Sequence, residues 1–229
     1  MKLLFSLLSP PLPLDEGCVC SLVAENPPMF RWLVEDIYRQ IQGEKGECVL
    51  SDKGAPIDMA KYAELYTQLT PFTCNRKTLL TRVYGAIEQE ATDAEHFVKT
   101  RALAGEIERY LLELGEDYAL TLDAEKITVT ALLKLSGALI GNDQTDILGS
   151  MLEYMDCVST LEREKVFIFV HLRSYFSDAE LELFFSDTRR RKHRVLMLEG
   201  TEHPYLSEEK RVVIDTEMCE IVSCFSETY

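Results

Sequence analysis

Two apolar segments decide the fold class of this 229-residue chain: Val166-Phe-Ile-Phe-Val170 and Arg194-Val-Leu-Met-Leu198. Short runs of β-branched, aromatic and aliphatic residues suit strands that are buried on both faces, as in parallel sheets. Between them, Ser177-Asp-Ala-Glu180 is a capping box that predicts a helix to about Asp187. A strand, a short crossover helix and a second strand make a parallel βαβ unit, so the sequence predicts an α/β fold.

Further elements of this domain are predicted near both ends of the chain. Leu3 to Leu8 and Cys18 to Val23 are short extended pieces that suit a hairpin or two sheet strands. Met29 to Gln42 has apolar residues at helical spacing and is closed by a glycine. Arg211 to Ile214 and Glu217 to Val222 predict two last strands.

The middle of the chain is predicted to be helical. Asp58 is a plausible cap for a helix from Met59 to Leu69, and Asn75 for a proline-free segment from Arg76 to Leu114. That segment would span about 58 Å as one helix, so it is either an extended arm or kinks near Gly85 or Gly105. Two more helices are predicted at Ile127 to Ile140 and Thr145 to Leu161. The predicted organisation is an α/β core domain made of residues 1–57 and 151–229, with a helical domain inserted at residues 58–150.

The composition predicts a folded, cytoplasmic protein with reduced thiols. Seven cysteines without framework spacing argue against a disulfide scaffold, and no segment approaches the length of a membrane span. The apolar start resembles a signal peptide but lacks a cleavage site, so a buried edge strand is the favoured interpretation. With 24 basic and 39 acidic residues the net charge is −15, which disfavours a generic nucleic-acid coat. DNA binding would need a segregated basic patch.

The sequence contains no motif typical of a catalytic site. No GxxxxGK[ST] phosphate loop occurs, the four histidines are far apart in sequence, and no serine nucleophile elbow is present. A nucleotide-hydrolysing enzyme is therefore disfavoured.

Acidic residues are concentrated between Glu106 and Glu125, with Arg109 as the one basic residue among them. Converging carboxylates suit a hard cation such as Ca²⁺, which takes six to eight oxygen ligands. The spacing is not that of an EF-hand, and on residues alone a solvated acidic face is favoured over a metal site.

Basic residues are concentrated in Arg189-Arg190-Arg191-Lys192-His193-Arg194. This run is either a phosphate-binding patch or the end of the Ser177 helix, where cations suit the helix dipole. Weaker candidates for phosphate contacts are Arg76, Lys77 and Arg82 on the long helix, and Lys126 and Lys134 beside the acidic cluster.

Three stretches together resemble one family: Phe5 to Gly17, Glu125 to Lys134, and Lys165 to Ser177 continuing to Glu199. Their order and spacing, and the chain length, are similar to the small fourth Cas protein of type II-A CRISPR loci, the Csn-two family. This resemblance implies a non-catalytic homotetrameric ring, built on an α/β core akin to P-loop folds but without the phosphate loop, with a helical domain. It also implies Ca²⁺ binding, threading of double-stranded DNA ends through a lysine-lined hole, and spacer acquisition with the adaptation integrase and the effector nuclease.

Carried to this chain, the resemblance makes Asp123 and Glu125 the first metal candidates, followed by Glu113, Glu116 and Asp117. It makes Lys126 and Lys134 candidates for the hole, beside Arg76, Lys77 and Arg82. The basic run at residues 189–192 departs from the family pattern, since relatives tend to have only polar residues at these positions. A degenerate nucleotide-binding or nuclease-like enzyme and an acidic protein-only scaffold are the alternative hypotheses.

Overall fold

The structure is a computed structural model that describes residues 1–70, 72–116, 126–141, 146–162 and 164–223. The chain forms two compact units, one made from residues 1–72 and 144–229 and the other from residues 73–143. We call them the α/β unit and the helical unit.

The described strands and helices follow in chain order. The strands are β1 (Lys2–Leu4), β2 (Leu12–Pro13), β3 (Cys18–Ala24), β4 (Val49–Asp52), β5 (Ala55–Pro56), β6 (Ala63–Tyr66), β7 (Val166–Val170), β8 (Arg194–Glu199), β9 (Glu209–Ile214) and β10 (Glu220–Ser223). The helices are α1 (Pro27–Ile41), α2 (Met59–Tyr62), α3 (Lys77–Ala91), α4 (Phe97–Glu116), α5 (Val129–Leu135), α6 (Ile147–Leu161) and α7 (Asp178–Arg191), and a 3₁₀ turn spans Leu172–Ser174.

The main sheet of the α/β unit has six strands in the order β10-β9-β3-β8-β7-β6. Neighbouring strands are parallel except β10, which is antiparallel to β9. The predicted βαβ unit is present, since β7 and β8 pair in parallel with Phe167 opposite Val195. The capping box at Ser177 is also present and starts α7. The α/β class predicted from the sequence is therefore confirmed.

Apolar side chains cover both faces of the main sheet. On one face, Leu22, Ile168 and Leu198 belong to one buried cluster with Leu33 and Ile37 of α1. On the other face, Phe167 and Phe169 are fully buried, and the Phe169 ring meets the edge of Phe184 on α7 at 6.2 Å. Burial on both faces explains why these strands carry continuous apolar runs.

The first strand was predicted as a buried edge strand, alone or in a hairpin. Instead β1 lies inside a second, antiparallel sheet of order β2-β1-β4-β5, with Leu3 opposite Leu12 on one side and Leu50 on the other. Leu3 is fully buried, which accounts for the apolar start of the chain.

The helix predicted from Met59 to Leu69 is wrong beyond its first turn. Asp58 caps α2 as expected, but the chain then extends into β6, where Ala63 pairs with Val166 of β7. The Tyr66 ring stacks on Phe169 at 5.0 Å, so sheet pairing overrides the local helical pattern. The units consequently divide near residues 72 and 143, whereas the sequence placed the boundaries near 57 and 150.

The long helix predicted from Arg76 to Leu114 is two helices. The break lies between Ala91 and Phe97, not at either glycine, because the Asp93 carboxylate accepts hydrogen bonds from the backbone N–H groups of Glu95 and His96, both at 2.9 Å. A short acidic side chain competes for backbone donors in this way at helix ends. The helix predicted from Ile127 to Ile140 shortens to α5.

Among the described residues, no helix combines the length and apolarity that crossing a membrane requires.

Candidate functional site

The helical unit carries most of the residues that the sequence singles out. Its helices α3 and α5 are joined by Glu88, whose carboxylate accepts a hydrogen bond from the Thr130 N–H at 2.6 Å, and by the Tyr84 hydroxyl, which donates to the Ala138 carbonyl. Asn75, predicted as a helix cap, instead bonds both backbone groups of Ile140, at 2.8 and 3.1 Å. These contacts set α5 antiparallel to α3.

Part of the acidic stretch has a structural task. The Glu108 carboxylate on α4 accepts a hydrogen bond from the Ile127 N–H at 3.1 Å, just before α5 begins. Glu113 is exposed and lies 3.9 Å from the Arg109 side chain. Glu108 therefore fixes the chain next to the predicted metal loop.

The metal candidates fall mostly outside the described residues. Asp117, Asp123 and Glu125 lie there, Glu116 is described only as the backbone end of α4, and Glu113 is the remaining candidate. Within the described ranges no three His, Cys, Asp or Glu side chains form a cluster that could hold a metal ion. The calcium site stays a prediction that rests on residues 113–125.

The basic candidates of the helical unit are distributed along it. Lys77 begins α3, and Lys134 lies in the last turn of α5, which the antiparallel packing directs toward the start of α3. Lys126 precedes α5 at the opposite end, near Glu108. Lys77, Lys126 and Lys134 are exposed; Arg82 is an exposed residue of α3, and Arg76 is half-buried just before α3. The structure thus separates Lys126 from Lys134 along α5.

The arginine run ends α7, as one of its two interpretations required. Arg189 pairs with Glu208 at 2.7 Å, Arg190 pairs with Asp187 at 2.6 Å, and Arg191 contacts Asp156. Lys192 closes the helix with a left-handed backbone, φ 59°. Each arginine has a carboxylate of its own chain beside it, and a role in DNA binding stays a prediction.

Sequence reasoning missed a polar cluster beside this helix end. His193 is buried, with its Nε2 2.8 Å from Asp156 Oδ1 and its Nδ1 3.3 Å from Ser159 Oγ. Burial lowers the pKa of His193, although the Asp156 carboxylate acts against this. Ser159 lies inside α6, so its own N–H belongs to the helix and supplies no donor for an oxyanion. The cluster ties α6 to β8, and its spacing of more than thirty residues left no signal in the sequence.

A second polar network is buried in the α/β unit. The Arg173 guanidinium donates to Glu209 at 2.7 Å, and Arg211 donates to the same carboxylate at 2.8 Å. Glu199 accepts a hydrogen bond from the Arg173 N–H at 3.0 Å, and its other oxygen lies 3.7 Å from His171 Nδ1. Burial raises the pKa of Glu199 to about 7, whereas the bonds from Arg211 help to hold the pKa of Glu209 below its ordinary value despite its burial.

The turn from β3 to α1 lies where open α/β sheets bind ligands, beside a strand flanked by β8 and β9. Phosphate binding there uses free N–H groups at the start of the helix. Pro27 and Pro28 occupy the first two positions of α1 and have no N–H, and the Asn26 side chain takes the Met29 N–H at 3.2 Å. This helix start is therefore poorly equipped to hold a phosphate.

A solved structure and a family model were compared with this chain, and they carry different weight. A solved structure described as a putative ABC transporter (ATP-binding protein) from Pyrococcus furiosus matches 88% of this chain and 87% of its own, with 12% identity and a TM-score of 0.36. That likeness is too low to support an argument. The family model described as CRISPR-associated protein (Cas_Csn2) matches residues 40–218, which is more than half of the chain. The chain belongs to the Cas_Csn2 family of CRISPR-associated proteins.

Proposed function

We propose that this protein is a cytoplasmic, non-catalytic homotetrameric ring that binds double-stranded DNA ends during CRISPR spacer acquisition. Binding depends on Ca²⁺ and is independent of sequence, and the partners are the adaptation integrase and the effector nuclease. The observation that carries the proposal is membership of the Cas_Csn2 family. The core of the subunit is P-loop-like in this proposal, and the two prolines leave the start of α1 without two of the N–H groups that phosphate binding would use.

Self-association is supported by an exposed apolar stripe on α4. Leu103, Ile107, Tyr110 and Leu114 follow each other at intervals of four, three and four residues, so they share one face of the helix. The side chains of Leu103, Tyr110 and Leu114 are 51%, 59% and 43% exposed in the single chain. Contiguous exposed apolar surface of this kind marks contact sites between proteins.

The DNA contacts in this proposal are to the phosphate backbone, which requires cations but no base readout. Lys126 and Lys134 are the first candidates, followed by Arg76, Lys77 and Arg82. We place residues 189–192 behind them, since each of the three arginines there already lies beside a carboxylate.

The calcium ligands in this proposal are Asp123 and Glu125, with Glu113, Glu116 and Asp117 next. Carboxylates are the ligands that Ca²⁺ prefers, and a bound cation would offset the repulsion among these acids. Changing Asp123 to Asn together with Glu125 to Gln should lower Ca²⁺ affinity in calorimetry, with Glu95→Gln as the control. An unchanged affinity would move the site elsewhere.

The pairing of the arginines gives some support to a second candidate, an acidic scaffold that contacts only proteins. A nuclease-like or nucleotide-binding enzyme has no comparable support, because the N–H of Ser159 lies within α6 and the α1 start lacks two N–H groups.

One gel-shift series separates the two candidates. Linear duplex and covalently closed duplex of the same sequence are compared at low salt, with Ca²⁺ and with a chelator. The ring predicts binding to linear DNA alone, lost as salt rises and weakened by the chelator. Equal binding to the closed duplex would refute threading, and no binding to either would favour the scaffold. Light scattering that gives a monomer in all cation conditions would refute the ring.

A further inference from the structure

An open groove of about 600 Å³ lies in the α/β unit between the first turns of α6 and the outer face of α7. Its rim includes Tyr175 and Leu183, whose side chains are 47% and 71% exposed. Its apolar lining includes Leu148, Leu152, Phe176 and Phe184.

The charged side chains that line the groove already have partners in their own chain. Asp146 accepts the Gly149 N–H at 2.7 Å, and Glu180 accepts the N–H and the hydroxyl of Ser177 at 2.8 and 2.6 Å. Asp187 is paired with Arg190, and Arg191 with Asp156. A small polar ligand is oriented by a few convergent polar groups, and here such groups are already engaged.

The charge of the lining still selects among partners. Three carboxylates, those of Asp146, Glu180 and Asp187, face one guanidinium, that of Arg191. With the partners of these groups counted, four carboxylates still exceed the two guanidinium groups of Arg190 and Arg191, so the charge beside the apolar lining is net negative. An occupant that matches it presents apolar side chains to Leu183 and the apolar lining and cations to the carboxylates.

We propose that this groove binds an amphipathic helix of a partner protein, with an aliphatic stripe on one side and lysines or arginines flanking it. A groove between two helices suits such a helix, whose anchors recur at intervals of three and four residues. The inference goes beyond the proposed function, because it requires neither DNA nor calcium.

The test uses the intact protein and a fluorescent helical peptide of leucine and lysine, about 18 residues long. Saturable binding is expected in fluorescence anisotropy, and Leu183→Glu should weaken it by about tenfold or more. The added negative charge would attract this cationic peptide, so the loss reports apolar contact. Leu139→Glu is the matched control, because Leu139 is 68% exposed in the helical unit and gains the same charge.

Several outcomes would overturn the proposal. These are wild-type affinity in Leu183→Glu, equal binding of a scrambled peptide of the same composition, or equal binding of a peptide with glutamates in place of lysines. A wild-type oligomer that excludes the peptide and dissociates in Leu183→Glu would show that a second copy fills the groove. Circular dichroism verifies the fold of the variant. DNA binding should be unchanged in Leu183→Glu, so failure here is distinguishable from failure of the proposed function.

Discussion

Glu199 should make the α/β unit less stable as the pH rises through neutrality. Its side chain is 3% exposed at the end of β8, and burial raises its pKa from 4.5 to about 7. The groups that face it are the backbone N–H groups of Arg173 and Leu172, the imidazole of His171 and, further away, the Glu209 carboxylate. The Arg173 charge opposes this shift without overcoming it, because that guanidinium already pairs with Glu209 and Asp178.

The sign follows from proton binding. Between the two pKa values the folded protein holds a proton on Glu199 that the unfolded chain has released, so the free energy of unfolding falls as the pH rises through this window. A shift from 4.5 to about 7 corresponds to about 3 kcal/mol. Glu199 makes its full contribution to the free energy of unfolding below its pKa in the unfolded chain. That contribution is lost above its pKa in the folded protein.

Changing Glu199 to Gln removes the titration and keeps an oxygen that can accept the Arg173 N–H. Urea denaturation of both proteins, at one protein concentration, gives the difference in the free energy of unfolding at each pH. Relative to wild type, the variant should gain about 3 kcal/mol between about pH 5 and about pH 9. The matched control is Glu209→Gln, whose carboxylate has a lowered pKa; its relative loss of stability should instead shrink as the pH falls. If the free energies of unfolding of wild type and E199Q differ by the same amount across this pH range, the reasoning is refuted.

Three further predictions follow from single contacts. Asp36 is buried and accepts hydrogen bonds from the N–H groups of two residues of the 43–48 loop. Asp36→Asn should therefore lower the free energy of unfolding by about 2 kcal/mol in urea denaturation at pH 7. The difference from wild type should shrink in acid, because these hydrogen bonds lower the pKa of Asp36. Lys126→Ala and Lys134→Ala should each weaken DNA binding and reduce the slope of log affinity against log salt concentration by about 1. The control Lys53→Ala should do neither. Equal effects from all three variants would refute the assignment of Lys126 and Lys134 to DNA binding. Tyr110→Glu places a charge in the α4 stripe and should shift the molar mass in light scattering toward smaller species, and an unchanged mass would exclude the stripe as a contact between copies.

The parts of the fold that sequence reasoning predicted are those with a strong local signal. β7 and β8 are wholly apolar, and the Ser177 capping box is read from four consecutive residues. β6 has no such signal, since its strand state comes from pairing with β7 more than a hundred residues later. The break before α4 depends on Asp93, an ordinary acidic residue until its hydrogen bonds are seen.

The candidate sites were predicted less well, because a sequence gives the number and positions of its charged residues but not which of them pair in the folded protein. Arg173 and Glu209 are separated by 36 positions, and nothing in either local sequence joins them. The same is true of His193 and Asp156. The arginine run is conspicuous in sequence, yet its effect depends on three carboxylates that lie on α6, on α7 and before β9.

These arginine–carboxylate pairs bear on how the proposed ring can bind DNA despite its net negative charge. Four copies at −15 each would carry about −60, which repels a DNA end at long range. In the α/β unit Arg173, Arg211 and residues 189–191 lie against their own carboxylates, so little of that positive charge is available to offset it. The cations that this proposal puts first, Lys126 and Lys134, belong instead to the helical unit, together with the Ca²⁺ that it assigns to residues 113–125. Few lysines then share the phosphate contacts, and the salt dependence of binding should be shallow in Ca²⁺, with affinity falling steeply when calcium is removed.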